Sequence, residues 1–270
     1  MKRILVLGFF LFCISIFPQN ISSERKDDTN FIFVEGGEIK SSKSFFYKKS
    51  VEGFYISKYE VTQKEWVEVM GTNPSSHSND PEWEKLPVDK ISWYDAIEYC
   101  NKRSIKEGLT PVYEINKEVK DPDNISKYDD KKYLIKINPD ANGYRLPTEI
   151  EWEYAATGGK YGQFDCFSGS NEPELVAVYN SMFENNNRIK PVGSKKSNEL
   201  GIYDMCGNVA EWCWDWYVDA KGNKNGYKVV RGGSYESNLT EIAICYRGDY
   251  RSPIYSFKGV GLRLVRSRLD

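Results

Sequence analysis

Histidine is almost absent: the 270-residue chain has one, His77. A multi-histidine zinc site is excluded, and Ser–His–Asp or Cys–His catalysis has a single candidate base. His77 lies in "NPSSHSND", a turn-rich polar stretch where a solvated loop histidine is expected. An excess of charge is missing too. The 37 Lys and Arg against 39 Asp and Glu give a net charge of −2, no electrostatic footprint for nucleic acid. No CxxC pair occurs, so a thiol-redox motif or zinc ribbon has no basis, and no repeat of the solenoid kind is visible.

Long apolar runs are confined to the start. Lys2 and Arg3 precede the run Ile4 to Phe17, which Pro18-Gln19-Asn20 ends. It falls short of the ~20 residues of a membrane span, so residues 1–20 are expected to be an export signal. Cys13 offers a lipid attachment point, although Phe12 is bulky where lipoprotein signals prefer a small residue. Any contact with a membrane would run through such an anchor. Residues 21–30, "ISSERKDDTN", read as a linker, and residues 31–270 as one domain, expected to be monomeric. Without Cys13 five cysteines remain, an odd number that leaves at least one thiol free or paired elsewhere in an exported protein.

What is plentiful is aromatic: 19 Tyr, 13 Phe and 7 Trp, with 21 Gly and 11 Pro, the composition of a loop-rich fold. Three helices are predicted from their start signals. In "VTQKEWVEVMG" Thr62 caps and Glu65 reaches back, Val61 staples onto Trp66, and Gly71 stops the helix. In "PTEIEWEYAATGG" Thr148 and Glu151 repeat that grammar. In "SWYDAIEYCNKRSIKEG" Ser92 caps, while Trp93, Ala96, Ile97 and Cys100 share a stripe, so Cys100 is a core thiol; Cys206 is taken as buried and inert as well. Short strands are expected in "FIFVEGG", "SVEGFYISKYEV", "KYLIKI", "YKVVRGGSY" and "GVGLRLV", and Trp212, Trp214 and Trp216 alternate as a half-buried strand does. Asp121–Lys132 reads as a charged surface loop. The fold class is α+β.

Two stretches could carry chemistry. "GIYDMCGNVAEWCWDWY" sets Asp204 and Glu211 seven residues apart around the turn at Gly207 and Asn208. A chain wrapping a hard cation supplies side-chain oxygens at its ends and carbonyls between. On spacing alone, Asp204 capping a turn and Glu211 pairing with an arginine such as Arg145 or Arg231 is the simpler reading. "EIAICYRGDYRSPIYSF" mixes tyrosines with Arg247, Asp249 and Arg251 around Cys245. A catalytic cysteine needs a depressed pKa, which those arginines could give. A recognition surface needs rigid amphipathic side chains, which tyrosine supplies. "VVRGGSY" lacks the GK[ST] ending of a phosphate loop, so Gly232 and Gly233 mark close backbone approach or a bulge.

Taken in order, "FYISKYEVTQKEW", "VMGTNPS", "PVDKISWYDAIEYCN", "YRLPTEIEWEYAATGG", "NELGIYDMCGNVAEWCWDWY", "VVRGGSY" and "GLRLV" resemble the formylglycine-generating enzyme (sulfatase-modifying factor) family from about Phe31 to Arg266. The resemblance implies a loop-rich C-type-lectin-like fold of the formylglycine-generating type. It turns the balance at "DMCGNVAE" towards a structural calcium or magnesium ion held by Asp204 and Glu211 through side chains and by Gly207 and Val209 through carbonyls. At a second family site Asn180 matches, but Gly193 stands where aspartate is expected.

Activity carries over less easily. The family's enzymes use two cysteines five residues apart to bind copper. Counted back from Pro253, Cys245 matches the second and Thr240 stands in place of the first. Cys245 is therefore expected to be a packed residue, and the chain to be a non-enzyme with no catalytic cofactor. The rivals are a copper-dependent oxidase using Cys245, alone or with Cys166 or Cys213, and an invariant accessory domain of a surface assembly. One family branch comprises the variable proteins of diversity-generating retroelements, of the kind found in treponemes, in which the segment between "RGGS" and the "GFR"-like ending is rewritten. By that likeness Tyr235, Glu236, Asn238, Thr240, Ile242, Ile244, Tyr246, Asp249, Tyr250, Tyr255 and Phe257 form the ligand surface of an exported binding protein at the cell surface or in the periplasm. Its partner would be a protein or surface ligand.

Overall fold

The computed structural model describes residues 30–163, 166–181 and 188–268. The expected signal, Cys13 and all but the last residue of the linker lie outside these. Strands β1 (Phe31–Val34), β4 (Phe54–Ser57) and β11 (Val265–Ser267) form a three-stranded antiparallel sheet in the order β1-β4-β11, bringing the two ends of the domain together. A second sheet has the order β10-β7-β8-β9, from β7 (Ala210–Val218), β8 (Lys224–Arg231), β9 (Tyr250–Arg251) and β10 (Val260–Gly261). Two hairpins complete the set, β2 (Gly37–Glu38) with β3 (Ser50–Val51), and β5 (Tyr113–Lys120) with β6 (Tyr133–Ile137).

The helices start where their caps put them. In α1 (Gln63–Met70) and α3 (Glu149–Ala156), Thr62 and Thr148 make reciprocal boxes with Glu65 and Glu151; Ser92 does so with Asp95 at the head of α2 (Trp93–Lys106). Gly71 ends α1 in the left-handed conformation. The four-residue α4 (Pro173–Val176) carries no periodic signal.

The second sheet is the wall between two apolar cores, because successive strand residues point to opposite faces. Trp212 and Val230 join Trp66, Trp93, Ile97, Tyr99 and Cys100 of α1 and α2 on one side. Cys213 and Val229 join Trp152, Tyr154 and Ala155 of α3 on the other. Cys100 and Cys206 are fully buried, and burial pushes both thiols up. Asp121–Lys132 is a surface loop with a packed interior: Asp129 accepts bonds from Tyr94 Oη and Asn124 Nδ2, both at 2.7 Å. His77 departs from the solvated expectation. It is half-buried, with its ring edge-on to Tyr235 at 5.7 Å.

Candidate functional site

The segment after β8 begins with a sharp reversal. Gly232 and Gly233 have φ of +90° and +69°, and a Cβ on Gly233 would meet the Glu241 carbonyl oxygen at 2.9 Å, so glycine is required there. The following turn fastens itself: Asn238 N–H donates to Glu241 Oε2 at 2.9 Å, and Asn238 Oδ1 accepts from Thr240 N–H at 2.9 Å.

Two plugs and a clamp hold the segment to the body. Ile242 and Ile244 are buried in the core beside α3. Arg247 grips Glu149 with two bonds, 2.6 and 2.9 Å, and lays its guanidinium 3.8 Å from the centre of the Phe45 ring. Glu149 also takes Arg231 Nη1 at 3.0 Å, so one carboxylate joins β8, α3 and the segment.

Three of the eleven predicted ligand residues are thereby withdrawn. Tyr235, Ile242 and Ile244 are buried packing residues; the segment is irregular, so no sequence period separated inward from outward positions. The other eight divide. Glu236, Tyr246 and Asp249 line a cavity of about 270 Å³ together with Ser234, Arg251 and Lys258. Asn238, Thr240 and Tyr255 are exposed, and Tyr255 meets half-buried Phe257 edge-on, with Arg251 above the Phe257 ring at 5.4 Å. Tyr250 turns away from Arg251, as neighbours in a strand do, and meets Tyr217 and Tyr227 with tilted rings, their centres 4.3 and 5.4 Å away. Tyr128 extends that array from Tyr227. The sequence reading missed Tyr217, Tyr227 and Tyr128; the parity of β7 places Tyr217 with Cys213, opposite the tryptophans.

The cavity wall is made of opposed charges. Arg251 Nη1 lies 2.7 Å from Asp249 Oδ1, and Lys258 Nζ 2.6 Å from Glu236 Oε1. Burial raises the pKa of Asp249, and Arg251 opposes that. Leu239 and Tyr255 are large apolar side chains left exposed on the segment.

Cys245 is exposed, contrary to the expected packed residue, and Thr240 is exposed on the preceding turn. The cysteine beside this part of the segment is Cys166, also exposed, whose carbonyl accepts the Ile244 N–H at 3.0 Å; Cys213 is buried.

At the predicted cation site Glu211 is already paired with an arginine. Glu211 pairs with Arg263, neither Arg145 nor Arg231: Arg263 Nε and Nη2 lie 3.0 and 2.8 Å from Oε1, while Trp152 Nε1 donates to Oε2 at 2.7 Å. Asp204 accepts the Gly193 N–H at 2.6 Å, and its other oxygen is buried without a hydrogen bond. Gly207 approaches Val178, where a Cβ would stand 2.0 Å from the carbonyl oxygen, and the Val209 N–H is spent on Glu60. One orphaned oxygen on Asp204 suits a cation, but both oxygens of Glu211 are already taken by Arg263 and Trp152, so the two predicted side-chain ligands do not fit together. Among the described residues no group of three His, Cys, Asp or Glu side chains could hold a metal.

The two sheets, the few short helices and the long irregular segment pinned by buried arginines define a C-type-lectin-like domain of the formylglycine-generating type. The chain belongs to the sulfatase-modifying factor enzyme 1-like domain family, whose pattern matches residues 17–268. It is 46% identical over 256 residues to the chaperone protein LppX of Paenibacillus barcinonensis, covering 88% of this chain and 90% of that one. The solved structure of Treponema denticola variable protein 1 superposes with a TM-score of 0.76 at 31% identity, covering 88% of this chain and 95% of that chain. The formylglycine-generating enzyme of Mus musculus is 26% identical over 234 residues, 76% of this chain but only 51% of the enzyme.

Proposed function

We propose that the chain is an exported, monomeric binding protein without catalytic activity, whose ligand is a segment of another polypeptide held at the cavity between Glu236, Tyr246, Asp249, Arg251 and Lys258. The observation that carries this reading is the composition of that cavity. Its charges come as pairs, exposed Glu236 with exposed Lys258 and largely buried Asp249 with half-buried Arg251, and the exposed pair can open to take a charged side chain. Exposed Leu239 and Tyr255 supply apolar area, and tyrosine buries area at little entropic cost. The likeness to a chaperone over nearly the whole of both chains supports a polypeptide ligand. The likeness to a variable protein supports the C-terminal segment as the binding element. In the finer form of this reading a retroelement rewrites the exposed positions. Sequencing the gene across a population would then find changes at Glu236, Asn238, Thr240, Tyr246, Asp249 and Tyr255, with Tyr235, Ile242, Ile244 and Arg247 kept.

The test is suppression of light scattering by a chemically denatured, reduced model protein diluted into buffer with the purified chain. The wild type should delay aggregation, and the triple variant Leu239→Ser/Tyr246→Ala/Tyr255→Ala should lose most of that effect while keeping its circular dichroism. An unaffected triple variant would sink the site. Copper uptake with oxygen-dependent turnover of a cysteine-containing peptide, abolished by Cys245→Ser, would replace the reading with the oxidase.

A further inference from the structure

The five cysteines outside the predicted signal sort by burial. Cys100, Cys206 and Cys213 are buried in the two cores, whereas Cys166 and Cys245 are exposed. The two exposed residues are far apart in sequence, and a backbone contact brings their stretches of chain together. The Ile244 N–H donates to the Cys166 carbonyl at 3.0 Å, which fixes the backbone next to Cys245 against Cys166 itself. On the other side, the Cys166 N–H donates to Asn171 Oδ1 at 3.2 Å, holding the turn that presents the residue. Burial first, and the Cys245 thiol next, raise the pKa of Cys166.

We propose that Cys166 and Cys245 are a disulfide-forming pair that staples the Cys166–Ser170 turn to the ligand segment, one residue before Tyr246. The pairing resolves the odd count, since the remaining three thiols are buried and inert. It also stands independently of the ligand assignment. A disulfide requires Cα atoms within about 7 Å, which a backbone hydrogen bond one residue away favours. The oxidant is a small disulfide such as oxidised glutathione. One cysteine thiolate attacks a sulfur of that disulfide, and a glutathione thiolate leaves and takes up a proton. The second cysteine thiolate then displaces the other glutathione. One S–S bond breaks and one forms, and two glutathione thiols carry away the two hydrogens. Closing so long a loop restricts the unfolded chain more than a short one does. The staple also fixes the wall beside the cavity.

The experiment oxidises the full chain with oxidised glutathione and compares intact mass, exposed-thiol content and the non-reduced peptide map. The expected product is a monomer lighter by two hydrogens, without exposed thiol, yielding a peptide that joins Cys166 to Cys245. Cys166→Ser and Cys245→Ser should each keep one reactive thiol and end as a mixed disulfide with one glutathione, the first step without the second. Both thiols left free, each capped by glutathione, or joined to other cysteines would overturn the proposal. The wild-type map decides even if a serine variant folds poorly.

Discussion

Arg263 and Glu211 form a fork sealed inside the protein, with the guanidinium also donating to the Ser57 carbonyl at 2.9 Å and the Tyr203 carbonyl at 2.7 Å. The same arginine faces Glu60 and Asp204, so one cation serves three buried carboxyl groups. It ties the end of β10 to β7 and, through Ser57, to β4.

Arg263→Ala is therefore expected to cost about 3–5 kcal/mol, the usual loss when one partner of a buried pair is removed. Urea unfolding measures it. Arg263→Met with Glu211→Gln should lose less than the sum of the two single changes, because no buried charge is stranded.

Asp204 gives a pH test. Burial raises its pKa to about 6 from an ordinary 3.8, with the Gly193 N–H and Arg263 opposing. A carboxyl raised on folding binds its proton more tightly in the folded state. Its contribution is complete below about pH 4, falls as pH rises and is gone above about pH 6. Asp204→Asn keeps an acceptor for Gly193 and tolerates the φ of +59°. The variant should gain on the wild type between pH 4 and 6, by about 2–3 kcal/mol in all, and then hold a constant lead. Urea midpoints across that range measure the gain, and parallel curves would show that Asp204 titrates as it does in the unfolded chain.

Much of this was readable from the sequence where a local rule applies. Thr62, Ser92 and Thr148 announce helix starts because a cap needs only residues three apart. The alternation of Trp212 and Trp214 announces a strand because its period is two. The partner of Glu211 was not readable: Arg263 stands 52 positions away and meets it only through the pairing of β10 with β7. Ile242 and Ile244 looked like surface residues for the same reason. Between Gly233 and Asp249 the chain follows no period, and what buries its side chains is α3, fixed by Glu149 and Arg247.

Arg247 is the residue that makes an irregular segment behave as part of the body. Arg247→Ala removes two charged bonds to Glu149 and the stack on Phe45, and leaves Glu149 to Arg231 alone. Faster amide hydrogen exchange is expected in residues 243–251, with α1 and α2 unchanged and a global loss of about 2–3 kcal/mol. Uniformly faster exchange would mean that the segment folds as one unit with the core.

Lys228 supplies the last test. It is buried in β8 with its ammonium 3.9 Å from the ring centre of Trp93, 4.0 Å from Trp216 and 4.8 Å from Trp214, and it donates to the Trp214 carbonyl at 2.8 Å. Burial lowers its pKa to about 7 from an ordinary 10.5, while Asp215, Asp121 and Asp129 favour the charge. The three indole faces favour it too, since each attracts a cation through its quadrupole. An amine lowered on folding binds its proton less tightly in the folded state, so its contribution is present at high pH and is lost as pH falls from the unfolded value to the folded one. Lys228→Met fills the same space without a charge but leaves the Trp214 carbonyl unpaired. The wild type should gain stability on this variant from about pH 7 to about pH 10, by a few kcal/mol at most once the cation–π attraction is set against burial. A difference that does not move with pH would mean that the tryptophans hold the ammonium charged throughout, and that the cage stabilises this strand as a cation site in its own right.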